Sequence, residues 1–127
     1  MKLPFDPQHH LIGITVRLFG PEGDTYAYLA LDTGATSTMI CKEILELIGY
    51  DPDSLLKTVN FTTGSGVESA ARVTVERVEA LGRERLNFAV IAHTLPASAS
   101  IDGVLGLDFL RDRVLTLDFQ KGEISLV

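Results

Sequence analysis

The sequence predicts a mainly β protein of closed, barrel-like architecture. Three observations carry this reading. Short β-prone runs recur along the chain, parted by Gly- and Pro-bearing turns about every 8–12 residues. Two stretches alone, 42–48 and 105–110, read as helical, and both are short. The chain has 127 residues, of which 46% are apolar, which is the size of one domain with its own core.

Each element has a local reason. Residues 1–10 hold two prolines and read as a loose lead-in to a domain spanning 11–127. Residues 11–19 place Ile12, Ile14, Val16 and Leu18 on one face of a strand. Residues 20–24, Gly-Pro-Glu-Gly-Asp, form a turn. Residues 25–31 are the return strand of a hairpin, and 37–41 a short strand. Ile44, Leu45 and Ile48 share a helical stripe over 42–48. Gly49 suits the C-terminal cap of that helix, and Pro52 prevents its continuation.

Residues 55–61 and 70–78 read as strands around Thr62-Thr63-Gly64-Ser65-Gly66, where Gly-x-Gly makes a mobile hairpin tip. A turn over 80–84 follows, and Arg83-Glu84-Arg85 reads as its solvated part. Residues 86–92 alternate, with Asn87 at a polar position, and 93–100 form a loop. A short helix over 105–110 ends at Arg111-Asp112-Arg113. Strands at 114–119 and 124–127 close the chain around a turn at 120–123. No internal repeat is present.

Composition excludes several functions. The net charge is −6 and no Lys/Arg cluster could neutralise phosphates, so no nucleic-acid partner is expected. The single cysteine, Cys41, cannot form an internal disulfide or a multi-cysteine metal site. It follows Thr38-Met39-Ile40 and reads as a small core residue. His9 and His10 are adjacent, so on a strand their side chains point apart. No metal and no cofactor are expected. The N-terminus has no apolar signal-type segment, and no run of about 18 apolar residues spans a membrane. A reducing, cytoplasmic setting is the expectation.

The chain is organised around Leu29-Ala30-Leu31-Asp32-Thr33-Gly34-Ala35-Thr36-Ser37. An apolar strand runs into one acid and then a Gly turn. A carboxylate at the end of a buried strand is costly unless hydrogen bonds or function keep it there. Gly34 would permit a positive φ and a close backbone approach.

Asp32-Thr33-Gly34-Ala35 resembles the catalytic signature of aspartic proteases, in its retroviral, single-domain form. Ile101-Asp102-Gly103-Val104-Leu105-Gly106-Leu107-Asp108-Phe109-Leu110 is similar to the apolar-apolar-Gly-x-Asp/Asn-apolar-Leu segment near the end of that family. The resemblance covers 11–127 and implies a retropepsin-like closed β-barrel with one or two short helices. It implies Asp32 as the catalytic residue, and Thr33, Gly34 and Ala35 as support within the active loop. It implies Val104, Leu105 and Gly106 packed beneath that loop. Thr63, Gly64, Ser65 and Gly66 would be a flap that closes over an extended peptide.

Metal-free hydrolysis of a peptide bond needs a base for water and an acid for the carbonyl, and two carboxylates sharing one proton supply both. The chain has one Asp-Thr-Gly. The resemblance therefore implies a C2 homodimer acting on a peptide or protein substrate, with Thr33 reaching the opposite loop. The C-terminal hairpin, 114–127, is the candidate interface.

Two departures separate this chain from viral members. Thr36-Ser37 replaces the usual acids, and Leu107 replaces an Arg after the last Gly. The chain is in this closer to bacterial and cellular retropepsin-like proteins. Ala35 cannot donate a hydrogen bond to a carboxylate, so the expected pH optimum is mildly acidic to near-neutral. Two other readings stand beside this one. The first is a catalytically silent module of the same fold that binds peptides or dimerises. The second is a small-ligand β-barrel, which offers no reason for Asp32.

Overall fold

The structure, a computed structural model, describes residues 1–54, 58–64, 66–96 and 98–127. The strands are β1 (Lys2–Pro4), β2 (Gly13–Gly20), β3 (Gly23–Leu31), β4 (Met39–Cys41), β5 (Thr58–Thr63), β6 (Gly66–Ala80), β7 (Arg83–His93), β8 (Gly103–Leu105), β9 (Leu115–Asp118) and β10 (Glu123–Leu126). Helix α1 is Lys42–Leu47, α2 is Leu107–Leu110, and Pro52–Ser54 is a 3₁₀ turn.

The order β2-β3-β8-β4-β7-β6 closes a six-strand barrel. Closure comes from Arg17↔Glu79, Leu18↔Val78 and Phe19↔Arg77, which bring β6 back to β2. β5 pairs with the first part of β6 and stands at the edge. β1, β10 and β9 form a separate three-stranded sheet.

The period of two explains the interior. Ile14, Val16 and Leu18 of β2 are buried, and so are Ala27 and Leu29 of β3. Leu45 and Ile48 from the α1 region, Phe109 from α2, and Ile124 and Leu126 from β10 complete the core. Each fully buried side chain of this kind contributes about 1.5–3 kcal/mol. Gly49 takes φ +99 just past α1, as a helix C-terminus favours. Among the described residues no helix is long and apolar enough to cross a membrane.

Four local expectations change. The lead-in is not loose, because Lys2–Pro4 pairs antiparallel with Glu123–Ser125. Residues 103–105 are a strand, so the second helix begins at Leu107 rather than 105. The alternation over 86–92 breaks at Asn87, whose φ of +51 shifts the phase, and Leu86 is exposed. The ladder between β6 and β7 skips Glu76 and Asn87, and the Glu76 amide donates instead to Tyr50 Oη at 2.8 Å.

The fourth change is at Arg83-Glu84-Arg85, which is not a solvated turn. The turn itself is Leu81-Gly82, both with positive φ (+54 and +74), as a two-residue hairpin requires. Burial of the Leu81 side chain holds it in that conformation. Arg83 and Arg85 start β7 and reach across to α2. Of the expected strand over 55–61, residues 55–57 lie outside the described residues.

Candidate active site

Strand β3 delivers Asp32. Its pairing with β2 ends at Gly13↔Ala30, while β8 continues alongside it through Ala30↔Val104 and Leu31↔Leu105. The Asp32 amide then donates to the Leu105 carbonyl at 3.0 Å. The chain turns at once: Ala35 N donates to Asp32 O at 3.2 Å, and Gly34 N donates to Asp32 Oδ1 at 2.9 Å. Asp32, Thr33 and Gly34 are exposed in the single chain. Leu29 is the last fully buried residue of the strand, so the acid emerges onto an open turn and is not buried as expected. Among the described residues the Asp32 carboxylate makes no bond except that from Gly34 N.

Gly34 also differs from expectation, because it does not adopt positive φ. Its value is space: a Cβ there would lie 3.1 Å from Asp32 Oδ1. A side chain would crowd the carboxylate against its own hydrogen bond.

The underside of the loop is fixed by backbone. Leu107 N donates to Ala35 O at 2.8 Å. A Cβ at Gly106 would lie 2.8 Å from Ala35 O and from Ser37 C, so only glycine fits. Thr38, which ends the loop, is fully buried. Its Oγ1 donates to Asp108 Oδ1 at 2.7 Å and accepts from Gly106 N at 3.1 Å. The Thr38 amide donates to Asp108 Oδ2 at 2.9 Å. Asp108 thus clamps both the backbone and the side chain of Thr38, and these charge-assisted bonds are the stronger kind.

Arg83 and Arg85 hold the far side of α2. Arg83 Nη1 donates to Phe109 O at 2.9 Å and to Arg111 O at 3.0 Å. Arg85 Nη1 donates to Asp108 O at 3.2 Å. Their guanidinium groups lie over the rings of Phe109 and Phe88. Burial, followed by the neighbouring charge of Arg85, pulls Arg83 below the ordinary arginine pKa. Leu107 leaves no cation directly after Gly106, and these two arginines reach the same segment from β7.

The sequence reading missed Thr38, Asp108, Arg83 and Arg85 as parts of this assembly. Asp108 had a signal, its place two residues after Gly106. Thr38 had none, because its partner stands 70 residues away.

The hairpin tip is built differently. Thr63 pairs with Gly66, and neither Gly64 nor Gly66 has an atom within 4 Å of the place where a Cβ would stand. Gly66 has φ +122. Ser65 lies outside the described residues. Cys41 is half-buried and lines a cavity of about 30 Å³ with Met39, His93, Leu95 and Val104. Burial pushes its thiol pKa up, the direction opposite to an activated nucleophile. Among the described residues no three His, Cys, Asp or Glu side chains are placed to hold a metal ion.

Residues 23–112 match the family model for a gag-polyprotein putative aspartyl protease. The fold is similar to the crystal structure of a retropepsin-like aspartic protease from Rickettsia conorii, with a TM-score of 0.72. That match covers 99% of this chain and 89% of the other, at 22% identity, which speaks to fold alone. None of the curated proteins matches the sequence.

Proposed function

The chain belongs to the gag-polyprotein putative aspartyl protease family, and from that premise we propose that it is an aspartic endopeptidase active as a homodimer. The supporting observation is an exposed Asp32 carboxylate on a loop pinned from beneath, with Gly34 N as its one bond among the described residues. One carboxylate cannot be base and acid together. Asp32 of the partner subunit supplies the second group, and the pair shares a proton. The ionised oxygen takes a proton from water while the protonated one donates to the substrate carbonyl. Thr33 bonds to the opposite loop, and Gly34 and Ala35 keep the turn narrow.

The flap, Thr63, Gly64, Ser65 and Gly66, closes over an extended peptide and bonds to its backbone. Val104, Leu105 and Gly106 support the floor. The C-terminal hairpin exposes Val114, Phe119 and Val127, which suits it to the interface between copies. The single cysteine fits a reducing, cytoplasmic compartment.

Asp32→Asn tests this directly. The variant keeps the shape of the side chain and loses the acid. Peptide cleavage is expected to fall by at least about a thousandfold, with the sedimentation coefficient unchanged. Cleavage by Asp32→Asn at the wild-type rate overturns the reading, and so does full activity in a strict monomer. A pepstatin-type inhibitor is expected to raise Tm in wild type and not in the variant. Because Ala35 has no hydroxyl to stabilise the ionised carboxylate, the pH–rate profile is expected to peak at mildly acidic to near-neutral pH. A peak below about pH 3 contradicts it.

A further inference from the structure

A cavity of about 280 Å³ flanks the active loop, and the proposed activity makes no use of it. Its walls come from four places. Ser37 stands where the active loop ends, and Asp108 at the start of α2. Arg85 and Asn87 come from β7, and Arg72 from β6. β6 is the strand that descends from the hairpin tip at Gly66. The cavity therefore lies between the end of the active loop and the base of the hairpin, where Arg72 follows the last β5–β6 pair.

Its chemistry is rich in donors. Arg72 is exposed, and among the described residues its guanidinium has no hydrogen bond or ion pair. Arg85 spends Nη1 on the Asp108 carbonyl and stacks on Phe88, which fixes its position and leaves its other N–H groups available. Ser37 adds a hydroxyl, and Asn87 an amide. Asp108 is the one acid in the wall, and both its oxygens are engaged by Thr38, at 2.7 and 2.9 Å. In a chain of net charge −6, this is a local site whose wall carries two guanidinium groups, one from β6 and one from β7, and a single acid whose oxygens both accept from Thr38.

We propose that this cavity is a subsite for an acidic side chain of the substrate, set back from the scissile bond and read by Arg72 and Arg85 with Ser37. Two guanidinium groups suit a carboxylate, which can accept paired N–H bonds from each. The proposal rests on the protease reading. It adds what that reading lacks, a charge requirement on the substrate.

The test gives wild type, Arg72→Gln and Arg72→Glu one peptide mixture randomised on both sides of the cleaved bond. The products are sequenced by mass spectrometry. In wild type, Asp and Glu are expected to be enriched about three- to tenfold at one position away from the cleaved bond. Arg72→Gln loses that enrichment, and Arg72→Glu turns it toward Lys and Arg. No enrichment in wild type overturns the proposal, as does the same enrichment in all three proteins.

A binding arm separates this from failure of the protease reading. The side-chain NMR signals of Arg72 and Arg85 in wild type are followed against N-acetylglutamate α-amide, its glutamine counterpart, and inorganic phosphate. Shifts with the glutamate compound and not the glutamine one support the subsite. If no peptide is cut, the protease reading falls, and these shifts alone decide the cavity. Phosphate binding without any acid preference in the peptides assigns the site to a free oxyanion and overturns the substrate role.

Discussion

The active loop and the hairpin tip both depend on glycine, and for opposite reasons. Around Asp32 the backbone is tied at Asp32 N, Ala35 O, Thr38 N and Gly106 N. At Gly106 there is no room for even a methyl group. At Gly64 and Gly66 nothing stands within 4 Å. Gly106 is required by crowding and Gly66 by its positive φ, while Gly64 stands in open space at an ordinary φ. The difference teaches how the chain divides its work. If the proposed function holds, the loop has to keep its carboxylate placed within a fraction of an ångström, and the tip has to open and shut. Substitutions at the two places are expected to diverge, and that divergence can be measured.

The largest effect is expected at Gly106→Ala. The new methyl group meets Ala35 O and Ser37 C at 2.8 Å, and both are backbone atoms that cannot rotate away. Relief requires parting α2 from the active loop. The expected loss is about 3 kcal/mol or more, seen as a fall in Tm of about 10 °C at fixed protein concentration. A fall under about 2 °C would show that the loop is not held from beneath and would remove one side of the comparison.

Thr38→Val comes next and isolates hydrogen bonding from volume. Valine keeps the shape and loses Oγ1, leaving Asp108 Oδ1 and Gly106 N without that partner. Both bonds are shielded, so about 2–3 kcal/mol is expected, and Thr38→Ser should restore most of it. Equal loss in Val and Ser would mean that the methyl packing of Thr38, not its hydroxyl, holds the loop.

These two sites differ in how far the sequence announces them. Asp32-Thr33-Gly34 and the Leu105-Gly106 segment are legible because each is local: an apolar strand, an acid, a glycine. The alternation of β2 and β3 and the cap at Gly49 are legible for the same reason. The clamp between Thr38 and Asp108 is not, since it joins positions 70 apart and a buried threonine looks like any other strand residue. Arg83 and Arg85 mislead more actively. They flank a turn and alternate with an acid, which is the pattern of a solvated face. Only the fold brings α2 close enough for them to cap its carbonyls. β8 is not legible, and its last residue, Leu105, reads as helical, because Gly103–Leu105 is three residues long and takes its partners from β3 and β4. Local patterns specify elements; the contacts that make a site rigid are assembled by topology.

The smallest effect on stability is expected at Gly64→Ala, and this is where the comparison is sharpest. Gly64 does not occupy positive φ, and its Cβ position is open. Alanine is therefore tolerated in the folded chain, and it restricts the unfolded one. The net change is expected to lie between zero and about 1 kcal/mol of stabilisation, a shift in Tm of a few degrees at most. Gly66, with φ +122, is the internal control, because alanine there is strained whatever the space. If the tip serves only as a turn, Gly64→Ala leaves cleavage untouched. If it serves as a moving cover, the same stiffening that spares Tm lowers kcat or raises KM. A rise in Tm joined to a fall in kcat/KM would assign the glycine to motion rather than to folding. A large loss of Tm would mean that the tip is packed after all, and the contrast with Gly106 would fail.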